Sequence, residues 1–241
     1  MYKNFVFDVY GTLVDIHTNE YDLNTWQKLA NTLEFYDVNY TAEELKEAYF
    51  MSCDLQIRQG LKDYKVPEVD VVEVFRHLFA NKGKKAGKSL ATHLAQEFRA
   101  FSTQRLRVYP DVIETLKQLK KAKKKLYILS NAQRCFTAPE LNKLGLKQYF
   151  SGIVYSSDYK CAKPDAKLFD IACEKYKLDK AETIHIGNDP KTDVDGARNA
   201  KIDCLWIKSN LTDYDAKPKL MPKYTVENGD FKEIAKLLLK K

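Results

Sequence analysis

The stretch that decides the fold lies near the amino terminus and reads Phe5-Val6-Phe7-Asp8-Val9-Tyr10-Gly11-Thr12-Leu13-Val14-Asp15. Its first three residues are bulky and apolar, a pattern typical of a short strand buried on both faces. The strand ends at Asp8, and Gly11 permits a tight turn in which backbone N–H groups can face an anion. A carboxylate beside such a turn is well placed to act as a nucleophile.

Beyond this stretch, the apolar pattern predicts two kinds of segment. From about residue 16 to residue 103, bulky residues recur every three or four positions, which indicates helices. After residue 105, short apolar runs alternate with helical patterns. The predicted strands there are residues 126–129, 152–155, 183–186 and 204–207. Short strands separated by helices predict an α/β fold, in which a parallel sheet is covered by helices on both faces.

Polar side chains follow four of the predicted strands, at the point where each strand ends. These residues are Asp8, Ser130 with Asn131, the stretch 156–163, and Asn188 with Asp189. Parallel sheets bind ligands beyond the carboxyl ends of their strands. The sequence therefore predicts that four separate stretches converge on a single site.

Composition and charge narrow the class of protein. The chain has 241 residues and a formal net charge of +7, but residues 1–57 hold ten acidic and only three basic residues. The basic remainder favours a small anionic substrate, and the absence of interleaved aromatic and basic residues argues against nucleic acid. No apolar run is long enough to span a bilayer, so we expect no membrane partner. Five dispersed cysteines predict a reducing, cytoplasmic location, and we expect a monomer or homodimer.

The stretch from Phe7 to Asp15 resembles the first motif of the haloacid-dehalogenase-like (HAD) hydrolase superfamily. Ser130-Asn131 resembles the second motif, Lys163 the third, and residues 187–193 the fourth, in the family's order. The resemblance implies a Rossmann-like core formed by residues 1–15 and 104–241. It also implies that residues 16–103 form a helical cap domain.

The resemblance implies roles for individual residues as well. Catalytic roles fall to Asp8, Ser130 and Lys163, substrate binding to Tyr10, Thr12 and Asn131, and Mg²⁺ binding to Asp8, Tyr10, Asn188, Asp189 and Asp193. When a carboxylate attacks a phosphate, two like charges about 4 Å apart repel by roughly 4 kcal/mol at an effective dielectric constant near 20. Lys163 and Mg²⁺ would offset that repulsion.

Two departures from the family pattern leave alternatives open. Tyr10 stands where HAD phosphatases usually carry the acid that protonates the leaving group, and a phenol is a poor general base at neutral pH. Asn188 stands where the metal-dependent enzymes usually carry Asp. We expect a Mg²⁺-dependent phosphatase of a small phosphomonoester that forms an aspartyl-phosphate intermediate on Asp8. The alternatives are a metal-independent 2-haloacid dehalogenase, which Tyr10 favours, and a catalytically weak phosphate-binding or regulatory protein.

Local patterns make four further predictions. Thr41 and Glu44 read as a capping box at the start of a helix, and Ser89 reads as the N-cap of a later one. Asp15 is expected to be structural. His185 lies inside an apolar strand and is expected to be a core histidine with a hydrogen-bond partner.

Overall fold

The computed structural model describes residues 2–239, in which strands and helices alternate over most of the chain. The strands are β1 (Asn4–Phe7), β2 (Val14–Thr18), β3 (Thr103–Val108), β4 (Lys125–Ser130), β5 (Gly152–Tyr155), β6 (Thr183–Gly187), β7 (Asp203–Ile207) and β8 (Tyr224–Val226). The α-helices are α1 (Leu23–Glu34), α2 (Ala42–Gly60), α3 (Val71–Ala80), α4 (Lys88–Ser102), α5 (Val112–Lys121), α6 (Arg134–Lys143), α7 (Ala166–Tyr176), α8 (Gly196–Asn199) and α9 (Phe231–Leu239). A π-helical turn, Pro190–Asp195, precedes α8.

Six strands form one parallel sheet in the order β5-β4-β1-β6-β7-β8. Strand β1 lies inside it, and its side chains alternate between the two faces. Phe5 and Phe7 pack in the cluster that includes α5 and α9, whereas Val6 packs in the cluster that includes α7 and α8. Burial of each such side chain contributes about 1.5–3 kcal/mol. The predicted α/β, Rossmann-like sheet with helices on both faces is confirmed.

Helices α1 to α4 share a separate cluster of buried residues. At its centre the Trp26 ring lies 5.1 Å from the Tyr49 ring and 4.8 Å from the Phe98 ring, measured between centroids. These helices bury apolar side chains at helical spacing, as the sequence predicts. Within residues 2–239, no helix combines the length and the apolar character that a membrane crossing requires.

The predicted starts of two of these helices have different outcomes. The capping box of Thr41 and Glu44 is present at the start of α2. The prediction that Ser89 is an N-cap is wrong, because Gly87 occupies that position and its carbonyl accepts the first backbone hydrogen bond, from Ala91. Ser89 therefore lies within the first turn of α4.

A two-stranded antiparallel ribbon, β2 with β3, carries the chain into and out of the four helices. The predicted helical segment is therefore wrong for residues 16–18, which belong to β2. Asp15 lies in this ribbon with its carboxylate buried, and it accepts hydrogen bonds from Arg105 at 3.0 Å and Arg107 at 2.9 Å. Pairing between strands 90 residues apart has no signature in the local apolar pattern. The division into a core and a helical cap domain stays a prediction.

The ion pairs of Asp15 with Arg105 and Arg107 in this ribbon make the stability of the protein depend on pH. Burial raises the pKa of Asp15, but hydrogen bonds from Asn210, Arg107 and Arg105 outweigh it and hold the pKa below its usual 3.8. The stabilisation is therefore fully present above about pH 4 and is lost as pH falls through the lowered pKa. We expect Asp15→Asn to reduce the free energy of unfolding by about 1.5–3 kcal/mol at pH 7.

Urea unfolding at pH 7, 5 and 3 measures this dependence. The difference between wild type and Asp15→Asn is expected to be equal at pH 7 and 5 and smaller at pH 3. Asp215→Asn, at an exposed carboxylate, is the matched control. A difference that does not shrink at pH 3 contradicts the proposed stabilisation by the ionised Asp15 carboxylate.

Candidate active site

Four residues from four loops meet at the carboxyl edge of the sheet. Asp8 follows β1, Ser130 ends the neighbouring β4, Lys163 lies between β5 and α7, and Asp193 lies in the turn after β6. Ser130 Oγ donates to Asp8 Oδ1 at 2.9 Å. Lys163 Nζ donates to the same Asp8 oxygen at 2.8 Å and to Asp193 Oδ1 at 2.5 Å.

The cation of this group is shared by two buried carboxylates. Asp8, Lys163 and Asp193 are 6%, 2% and 1% exposed. Burial lowers the pKa of Lys163, but Asp193 and Asp8 raise it by more than burial lowers it. The ammonium group therefore stays charged. Burial also opposes ionisation of Asp193, yet Lys163 and His185 bring its pKa below the usual range. For Asp8, burial raises the pKa by more than Lys163 lowers it, and the negative charge of Asp193 raises it as well.

The second carboxylate oxygen of Asp8 is available to a ligand. Among residues 2–239, no group hydrogen-bonds Asp8 Oδ2, while Oδ1 is held by Ser130 and Lys163. A carboxylate held at one oxygen and open at the other has a defined orientation for attack on an electrophile.

The turn after Asp8 is held tightly against the fourth motif. Gly11 has φ +81°, and a Cβ atom at this position would lie 2.4–2.6 Å from atoms of the Asn188 side chain. Thr12 Oγ1 donates to Asn188 Oδ1 at 3.2 Å, and Ser209 Oγ donates to the Gly11 carbonyl at 2.7 Å. Glycine is therefore required at residue 11 both for the backbone conformation and for the close approach.

The predicted metal ligands differ in what their oxygens contact. The Tyr10 carbonyl, like Asp8 Oδ2, accepts no hydrogen bond from the residues that the structure describes. Asn188 Oδ1 accepts one hydrogen bond, from Thr12. Asp189 Oδ1 caps the following turn, and both oxygens of Asp193 accept hydrogen bonds.

Across residues 2–239, no three His, Cys, Asp or Glu side chains cluster as a metal site. Mg²⁺, however, is commonly held by one or two carboxylates and several waters. Asp8, the Tyr10 carbonyl and Asn188 suit such an ion. Asp189 uses only Oδ1 for its hydrogen bonds with the described residues, whereas both oxygens of Asp193 accept hydrogen bonds. The predicted roles of Asp189 and Asp193 as metal ligands stay predictions.

Two residues predicted to bind substrate have their side chains committed elsewhere. The Tyr10 hydroxyl contacts Thr137 Oγ1 at 2.8 Å and donates to Glu140, and its ring lies 5.3 Å from the Arg99 guanidinium. Burial and the nearby Glu140 carboxylate raise the pKa of Tyr10.

Asn131 holds the third motif in place. Its amide donates to the Lys163 carbonyl at 2.9 Å and accepts from the Lys163 backbone N–H at 2.8 Å. Both ends of the amide are engaged, so Asn131 positions the lysine in place of the predicted substrate contact.

Sequence reasoning missed contacts between the helical segment (α1 to α4) and the lysine loop, which is the stretch 156–165 that carries Lys163. The backbone N–H of Glu68 donates to Lys160 at 3.0 Å, and that of Ala162 donates to Val66 at 2.9 Å. Gln133 accepts from the backbone of Val71 at 3.1 Å, across the same boundary. Backbone contacts between distant loops carry no residue-type signal, so the sequence contains nothing that could have predicted them.

Comparisons with known proteins show what this chain is similar to. A family model described as haloacid dehalogenase-like hydrolase matches residues 2–201. A phosphoglycolate phosphatase from Agrobacterium fabrum is 28% identical over 211 residues, which is 86% of this chain and 81% of that protein. The pyrophosphatase PpaX from Oceanobacillus iheyensis is 25% identical, over 96% of this chain and 94% of its own length.

A solved structure supports the fold. A 2-haloacid dehalogenase from Pseudomonas syringae aligns with a TM-score of 0.66 and 22% identity, covering 99% of each chain.

Removal of the shared cation is expected to destabilise the protein strongly. Lys163→Met leaves two buried carboxylates uncompensated, and loss of one partner from a buried ion pair costs about 3–5 kcal/mol. Urea unfolding at pH 7 measures the loss, and Lys191→Met, at an exposed lysine, is the control. A change no larger than that of the control contradicts the role given to Lys163.

Proposed function

The chain belongs to the haloacid dehalogenase-like hydrolase family, and we propose that within it this hydrolase is a phosphatase of a small phosphomonoester. The observation that carries the proposal is the Asp8 carboxylate, which is held at Oδ1 by Ser130 and Lys163 and open at Oδ2. The names of two relatives aligned over most of this chain, a phosphoglycolate phosphatase and a pyrophosphatase, support a phosphate compound as the substrate.

The proposed reaction has two steps. Asp8 Oδ2 attacks phosphorus, the bond between phosphorus and the leaving oxygen breaks, and the leaving group departs with the electron pair of that bond. Water then attacks the aspartyl phosphate, which releases inorganic phosphate and restores the Asp8 carboxylate. Lys163 keeps Asp8 oriented and reduces repulsion between its carboxylate and the phosphate, while Ser130 fixes the same oxygen.

The predicted cofactor fits this arrangement in part. When bound by Asp8, the Tyr10 carbonyl and Asn188, Mg²⁺ would supply positive charge beside the phosphoryl oxygens. Asn188 contributes an oxygen without a charge, so we infer that such a site binds Mg²⁺ less strongly than one with two carboxylates.

A second candidate is the metal-independent 2-haloacid dehalogenase, which the hydroxyl contacts of Tyr10 favour. Halide leaves carbon without a proton, and the Tyr10 hydroxyl is held by Thr137 and Glu140. In that reaction the same Asp8 oxygen would attack carbon.

The five cysteines are free thiols in the structure, which supports the proposed cytoplasmic location.

Asp8→Asn is the direct test of the phosphatase proposal. The amide keeps an oxygen for Ser130 but is not a nucleophile, so we expect release of phosphate from 4-nitrophenyl phosphate to fall at least about 10³-fold. Wild type and Asp215→Asn are assayed beside it, each with Mg²⁺ and with a chelator.

The other candidates have their own outcomes. Release of chloride from 2-chloropropionate that survives a chelator would identify a dehalogenase. If neither phosphate nor chloride is released but phosphate still binds, the protein is a phosphate-binding protein.

Tyr10→Asp tests the consequence of the missing acid. A carboxyl group at residue 10 can, in its protonated form, donate a proton to a leaving alkoxide, so we expect turnover of alkyl phosphates to rise roughly tenfold or more. Tyr10→Phe keeps the ring beside Arg99 and removes only the hydroxyl, so it should leave turnover nearly unchanged. A folded Tyr10→Asp protein without an increase, as judged by circular dichroism and steady-state kinetics, argues against this account.

A further inference from the structure

The histidine of strand β6 is hydrogen-bonded at one nitrogen only. His185 is fully buried, and its Nε2 lies 2.8 Å from Asp193 Oδ1. Because the partner is a carboxylate oxygen, Nε2 carries the hydrogen and donates it. Nδ1 has no partner within the part of the chain that the structure describes.

An unpartnered ring nitrogen in the core is a cost to stability that an apolar residue would avoid. The neighbours of His185 in the strand are Ile184 and Ile186, and its ring meets the Phe169 ring edge-on at 5.1 Å. Buried polar atoms without a hydrogen bond destabilise the folded state. A residue that violates this rule inside a strand indicates a function for its other contact, which here is the bond to Asp193.

That bond completes the immobilisation of the Asp193 carboxylate. Oδ1 accepts from Lys163 as well as from His185, and Oδ2 accepts from the backbone N–H of Asp189 at 3.0 Å. Gly187 leaves the necessary space, because a Cβ atom there would lie 2.1 Å from Asp193 Cγ. Three donors from three directions define one orientation of the carboxylate.

We propose that His185 is a positioning residue that acts through Asp193 to hold the Lys163 ammonium on Asp8. The line of contacts runs from His185 Nε2 to Asp193 Oδ1, then to Lys163 Nζ, and ends at Asp8 Oδ1. The inference rests on the proposed function of Asp8 as the nucleophile. His185 is fully buried, and its hydrogen bond is to Asp193.

Two substitutions separate positioning from packing. His185→Leu removes the donor and the unpartnered Nδ1 together, whereas His185→Gln retains an N–H donor of similar reach. We expect His185→Leu to lower kcat by roughly 10–100-fold, as is typical when an outer hydrogen-bond partner is lost. KM should change little, and any fall in the melting temperature should be small, because loss of the hydrogen bond to Asp193 is offset in part by removal of the unpartnered Nδ1. His185→Gln should recover most of kcat.

A side-chain signal reports the position of Lys163 without turnover. In protein with ¹⁵N at lysine Nζ, the buried ammonium of Lys163 should exchange slowly and give a resolved resonance, assigned by its loss in Lys163→Arg. We expect this resonance to broaden or shift in His185→Leu and to remain in His185→Gln. If His185→Leu does not fold, His185→Met replaces it.

The outcomes separate the two proposals. Wild-type kcat together with an unchanged lysine resonance in His185→Leu overturns the positioning role. A loss of kcat accompanied by an equal loss of thermal stability in both variants also overturns it, because packing alone then explains the effect. Absence of phosphate release from wild type would count against the proposed function, and the resonance would still test the link from His185 to Lys163.

Discussion

A single buried ammonium group, shared by two carboxylates, is the constraint on which the rest of the site depends. Lys163 Nζ lies within hydrogen-bond distance of both Asp8 and Asp193, and all three side chains are nearly inaccessible to water. Buried ions are tolerated only with partners in good geometry. Three loops must therefore be placed to within fractions of an ångström. The hydrogen bonds of Asn131 and the close packing at Gly11 and Gly187 provide that placement.

The four-helix segment is joined directly to this group of loops. Backbone hydrogen bonds connect Glu68 to Lys160 and Ala162 to Val66, close in the chain to Lys163. On the other side, Arg99 of α4 forms an ion pair with Glu140 of α6 at 2.7 Å, and Glu140 in turn accepts a hydrogen bond from Tyr10. The helical segment is thus connected both to the loop that carries Lys163 and to the loop after β1, so a change in its position would alter both loops.

The two proposed reactions, phosphatase and dehalogenase, differ in their leaving groups, and the environment of Tyr10 affects which leaving groups are favoured. In either proposed reaction an Asp8 oxygen would form the first bond, to phosphorus in one and to carbon in the other, and Lys163 can orient Asp8 in both. A phenol whose hydroxyl is already bound to Thr137 and Glu140 is a poor source of a proton for a leaving alkoxide. The contacts of Tyr10 therefore favour, in either proposed reaction, leaving groups that depart as stable anions.

The sequence by itself determined five of the six strands of the sheet and the residues at their carboxyl ends, because apolar periodicity and turn-forming residues act over a few positions. It did not predict β8, the short strand at the edge of the sheet. It identified Asp8, Ser130 and Lys163, which the structure brings together. Only the tertiary structure decided what depends on partners distant in the chain. It paired β2 with β3, turned the Asn131 amide toward the Lys163 backbone, and placed His185 against Asp193. Those contacts are set by the packing of whole elements, and no local pattern of residue types encodes them.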